Sequence, residues 1–139
     1  ILSVIYLCFT ELKKSKGDWM RRFKSKTFKR FARREGIDDK ALAEAVERLE
    51  KGTIDADLGG GLYKQRVARP GEGRSGGYRT LICFRTESRA FFVYGFPKSK
   101  QANISSSQEA DLKKLAAVLL NLSDEKLQGM LDDGSLEEF

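Results

Sequence analysis

Residues 62–96, LYKQRVARPGEGRSGGYRTLICFRTESRAFFVYGF, decide the fold. Within them, Leu62–Ala68 alternates, and Tyr78–Phe84 and Ala90–Phe96 are rich in aromatic and β-branched residues, the mark of half-buried strands. The polar link Arg85–Arg89 suits a hairpin, so the stretch predicts a three-stranded antiparallel meander. Gly71, Gly73 and Gly76 formally satisfy the spacing of a dinucleotide fingerprint. That motif must follow a strand and open a helix, whereas Tyr78-Arg79-Thr80-Leu81 continues as a strand. The glycines, with Pro70 in front of them, instead fit a flexible hairpin loop carrying Arg69 and Arg74.

Outward from the meander the period becomes helical. Arg21–Ser25 reads as a short first edge strand. Thr27 can cap a helix whose Phe28, Phe31 and Ala32 share one face, with Gly36 as its stop. Asp38 is a good N-cap for a second helix carrying Leu42, Ala45, Val46 and Leu49, ended at Gly52. So short a turn between them makes an antiparallel helical hairpin. Downstream, Ser106 and Glu109 match a capping box that opens a helix with Leu112, Leu115, Ala116 and Leu119 on one side. Ser123 starts a last short helix with Leu127, Met130 and Leu131. The class is α+β: a small antiparallel sheet of three to four strands, an N-terminal helical hairpin and C-terminal helices.

At 139 residues the chain fits one domain, assigned to residues 20–139. Residues 1–10, ILSVIYLCFT, are apolar but short of the roughly 20 residues that span a bilayer. Lys13, Lys14 and Lys16 follow this run rather than precede it, the wrong order for a secretory signal. Met20 stands directly before RRFKSKTF, so residues 1–19 read as an upstream extension, and no membrane segment is expected. Cys8 and Cys83 are too few for a disulfide framework or a zinc site, which suits a cytoplasmic setting. Without a secretory route the sequons at Asn103 and Asn121 carry no meaning, and Ser123 is better read as a cap.

The chain holds 26 Lys and Arg against 20 Asp and Glu, a net +6. Residues 12–36 carry eleven bases and two acids, and residues 62–100 nine and two. The two basic segments either converge on one positive cleft or form separate solvated faces. Histidine is absent, which excludes a Ser-His-Asp triad, a His-ligated metal and imidazole acid–base chemistry. Any chemistry falls to Lys, Arg, Tyr, carboxylates or hydroxyls, and no cofactor or metal is expected.

Lys64 and Arg66, two apart on one strand, project from the same sheet face. With Arg79 on the next strand they make a cationic floor, destabilised by like-charge repulsion unless an anion such as phosphate normally occupies it. Lys98 and Lys100 follow the last strand and supply a rim. Such a floor suits RNA cleavage by the neighbouring 2′-OH. That hydroxyl must lose its proton, the charge of the pentavalent phosphate must be stabilised, and the departing 5′-oxygen must gain a proton. Arginine fits the second role, and a lysine crowded by other cations the first. DNA, lacking the 2′-OH, would remain intact.

At these residues the sequence resembles the RelE/HigB family of bacterial type II toxins, within the wider RelE/ParE superfamily. The matching run is GGGLYKQRVARPGEGRSGGYRTLICF followed by RAFFVYGFPKSKQANIS, most like the HigB-like branch with a long glycine-rich arginine loop. The resemblance implies a ribosome-dependent mRNA endonuclease that inhibits translation and is neutralised by a cognate antitoxin, often a helix-turn-helix protein. By position it implies that Lys64 and Arg66 are the paired basic catalytic residues and that Arg79 contacts the scissile phosphate. Arg69, Arg74, Lys98 and Lys100 would hold RNA, and Arg21–Arg34 would face ribosomal RNA or the antitoxin. After the last strand, where RelE-like members carry an arginine and then a tyrosine, this sequence has Ser99 and Ser105. Three alternatives stay open: a ParE-like gyrase inhibitor, a plain RNA-binding module, and a member that no longer cleaves.

Overall fold

A computed structural model describes residues 20–69 and 73–139, without the side chains of 73–75. The upstream segment 1–19 and Gly71 lie outside the described residues. Ten elements follow in order: β1 (Arg21–Ser25), α1 (Lys26–Glu35), α2 (Asp39–Glu50), β2 (Ala56–Gly59), β3 (Leu62–Arg69), β4 (Gly73–Arg85), β5 (Arg89–Pro97), α3 (Ser106–Leu119), α4 (Asp124–Asp132) and β6 (Leu136–Glu138). The class is α+β as expected, with the predicted meander β3–β4–β5 at the centre of a six-stranded sheet ordered β2-β3-β4-β5-β1-β6.

Four features depart from the sequence reading. The sheet has six strands rather than three to four, because β2 and β6, four and three residues long, are too short to show a period of two. β1 is not an edge strand: it lies parallel to β5 (Phe23 opposite Phe91) and antiparallel to β6 (Phe23 opposite Glu138). The glycine stretch is mostly strand rather than loop: past a register shift after Val67 opposite Tyr78, β3 and β4 pair again at Arg69 opposite Gly73. The caps also shift: Ser25, not Thr27, receives the Phe28 N–H. At α3, Ser105 and Gln108 form the reciprocal box expected at Ser106 and Glu109. Asp38 and Ser123 cap α2 and α4 as read, and Gly36 closes α1 at φ 71°.

Each sheet face has its own core. On one, α1 and α2 bring Phe28, Phe31, Leu42, Val46 and Leu49 onto Val67, Tyr78, Ile82, Phe84 and Phe92. Gly95 permits this packing: a Cβ there would stand 2.5 Å from the Phe31 ring. On the other, Leu119, Leu120 and Leu127 cover Leu62, Leu81, Cys83 and Phe91, with Phe23 stacked on Phe91 at 4.8 Å. Burial pushes the Cys83 thiol up to about 12, so it is an inert core residue, as its apolar flanks imply. Among the described residues no helix is long and apolar enough to cross a membrane.

Candidate functional site

Strand register builds the site. Lys64 opposes Leu81, and Leu81 opposes Tyr94; in the next row Arg66 opposes Arg79, and Arg79 opposes Phe96. Side chains of one row share a sheet face. Lys64, Arg66 and Arg79 therefore stand together on the face that carries Leu62 and Leu81, beyond the apolar residues. Arg66 and Arg79 are directly cross-strand, a repulsive juxtaposition. Arg79 is 9% exposed. Burial and the neighbouring Arg66 guanidinium pull its pKa below the usual arginine value, against the opposing influence of Asp55. An arginine still carries its charge at neutral pH.

Two side chains hold the floor in place. The Lys64 Nζ donates to Asn103 Oδ1 at 3.2 Å, and the same oxygen accepts the Ile104 N–H at 2.9 Å. Asp55 Oδ2 accepts the Arg66 N–H at 2.7 Å and an Arg48 N–H at 3.3 Å, while its Oδ1 lies 3.4 Å from the Arg66 guanidinium. Burial works to raise the Asp55 pKa, but the Arg66 N–H and the charges of Arg66 and Arg48 outweigh it and hold the carboxyl below its usual range. Arg48 also donates to the Arg66 carbonyl oxygen, tying α2 to β3.

The other expected RNA contacts scatter. The Arg69 guanidinium lies 5.8 Å from the centre of the Tyr78 ring, toward the α1–α2 face rather than the floor. Arg74 has its side chain outside the described residues. Lys98 and Lys100 are exposed in the turn after β5; Lys100 lines a cavity beside α1. Of the positions where RelE-like members carry an arginine and a tyrosine, Ser99 is exposed and Ser105 caps α3.

Tyr94 and Asn103 are site residues that the sequence reading did not single out. Counting back from the β4–β5 turn, Ile82 opposes Phe92, so unbroken alternation would set Tyr94 opposite Thr80, on the α1–α2 face. A bulge at Val93 inserts one residue, and Tyr94 instead opposes Leu81, in the row of Lys64. Asn103 lies in the PKSKQANIS segment that helped to carry the family resemblance, and a hydrogen bond to Lys64 gives it a role no spacing rule exposes.

Comparison with known proteins adds one finding. The family described as "RelE toxin of RelE / RelB toxin-antitoxin system" matches residues 20–139. Among curated proteins, none matches the chain.

Proposed function

Because the chain belongs to the RelE toxin family, we propose that it is the toxin of a toxin–antitoxin pair and cleaves mRNA on the ribosome through the 2′-OH, arresting translation. The observation that supports this reading is the floor of Lys64, Arg66 and Arg79 on adjacent strands of one sheet face. Lys64, steadied by Asn103, takes the proton from the 2′-hydroxyl. That oxygen attacks the phosphorus, forming the 2′–O–P bond. Arg79, with Arg66 beside it, holds the non-bridging oxygens as the pentavalent phosphate gains charge. Tyr94, at the far end of the Lys64 row, gives its phenolic proton to the 5′-oxygen as the P–O5′ bond breaks, leaving a 2′,3′-cyclic phosphate and a free 5′-hydroxyl. Base on β3, phosphate clamp on β4 and acid on β5 thus follow the strand order. A cognate antitoxin, the ribosome and mRNA are the partners of this reading, and the cytoplasm its setting.

The test is primer extension on total RNA after brief induction. New 5′ ends inside translated reading frames should appear with the wild type and vanish with the Lys64→Ala/Arg79→Ala pair. Tyr94→Phe should slow cutting about 100-fold if the phenol is the acid, within the range of general-acid contributions. The second reading is a member that blocks translation or gyrase without cutting. The use of Ser105 as a helix cap, where the family carries a catalytic residue, favours it. Growth arrest with every transcript intact would select it.

A further inference from the structure

β1 pairs with β5 only as far as Lys24 opposite Phe92, then turns at Ser25 into α1. Past that point α1 and the last residues of β5 enclose a cavity of about 360 Å³, with the turn after β5 closing its end. This is a volume at the low end of small-ligand sites. Arg30, Arg34 and Lys100 line it, all three exposed, together with Phe31, Tyr94 and Gln101. No carboxylate is among its lining residues. Arg34 reaches Glu35 at 3.6 Å and sits 5.8 Å from the Phe31 ring centre; Arg30 and Lys100 have no ion pair among the described residues. Arg30 and Arg34 are four apart on one helix, a like-charge spacing that destabilises an isolated helix. Positive charge gathered around an aromatic wall is the chemistry that holds a nucleotide: cations for the phosphate, rings for the base.

We infer that this cavity is a single-stranded RNA subsite, taking one nucleotide that flanks the cleaved bond. The inference rests on the nuclease reading for its place in the reaction, but not for its binding chemistry. What distinguishes RNA from an acidic peptide is continuity with the floor. Tyr94 and Phe96 line the cavity and also stand in the two rows that hold Lys64, Arg66 and Arg79. A strand whose phosphate lies on Arg79 at β4 therefore passes β5 and arrives between Arg30 and Arg34. Arg30 and Arg34 bind and orient the strand there; they touch no reacting atom.

The test measures binding of a ten-nucleotide, fully 2′-O-methylated RNA to the full chain across a salt series. Arg30→Ala/Arg34→Ala should weaken binding at least tenfold and flatten the dependence of log affinity on log salt by about 1.4, two single-strand phosphate contacts. Arg30→Lys/Arg34→Lys should restore most of the slope. Unchanged affinity and slope in the alanine pair, or no RNA binding by the wild type, would overturn the subsite. So would intact RNA binding with lost capture of the cognate antitoxin, which would give the cavity to an acidic peptide. The nuclease reading fails separately, by intact transcripts after induction. RNA binding that depends on Arg30 and Arg34 would survive that result.

Discussion

The two faces of the sheet are built from alternate residues of the same strands, yet they treat polar side chains in opposite ways. Toward α1 and α2, β3 and β4 send Gln65 and Thr80 among the apolar residues, and both are fully buried. Gln65 donates to the carbonyl oxygens of Ala45 and Thr53 and accepts the Asp55 N–H at 2.7 Å; Thr80 donates to the Gln65 carbonyl oxygen at 2.9 Å. Toward α3, the same strands carry Lys64, Arg66 and Arg79, gathered against mutual repulsion. On the first face the polar side chains are satisfied within the core; on the second, Lys64 is steadied by Asn103 and Arg66 by Asp55, yet like charges still stand side by side. A polar residue in a strand pattern is thus structural when its partners are backbone groups, and a candidate for a site when its neighbours share its charge.

Substitutions can break this contrast. The largest effect belongs to the cationic face: Arg79→Met should cut mRNA cleavage about 100- to 1,000-fold, the usual loss when one donor to a developing charge is removed. Its urea midpoint should stay closer to wild type than that of any variant on the opposite face. Gln65→Leu should do the reverse, costing about 2–3 kcal/mol in urea unfolding, because two carbonyls and an N–H lose their partner in the interior. Cleavage per folded molecule should persist. Gly95→Ala should cost about 1–3 kcal/mol by driving a methyl into the Phe31 ring, measured the same way. If Gly95→Ala unfolds no more easily than wild type, the close packing of α1 on β5 is wrong.

The smallest effect joins the faces at Asp55. Its carboxyl is held below the ordinary range, so ionised Asp55 adds stability that is complete above the unfolded-state pKa of about 4 and lost as pH falls through the lower folded-state value. A pH series of unfolding free energies should therefore decline below about pH 4, more gently in Asp55→Asn. An identical slope in both would deny Asp55 this role.

The meander, both N-terminal helices and the shared face of Lys64 and Arg66 were legible because each rests on local periodicity; Arg79 joins them through the register of β4 on β3. The parallel place of β1 was not, since its partners lie at β5 and at three residues of β6, and a strand of five residues does not name a neighbour so distant. Tyr94 was hidden for a different reason. Alternation predicts a face only while register is unbroken, and the bulge at Val93 reverses every assignment after it. The early start of β4 was masked by glycines, whose weak strand preference is overridden where β4 pairs with β3 again at Gly73, beyond a register shift.

The position of β1 has a temporal side. Its two flanks are filled by segments made at very different times: residues 89–92 on one, residues 136–138 on the other. Arg21 grips Glu138 at 2.8 Å, and Lys24 and Lys29 reach Glu137 at 3.4 and 3.2 Å. During synthesis β1 keeps one open flank until residue 138 has left the ribosome, more than a hundred residues after β1 itself. Contacts of such sequence separation form late. A protein proposed to act on ribosomes would thus complete its sheet only after nearly all of the described chain is clear of the one that made it.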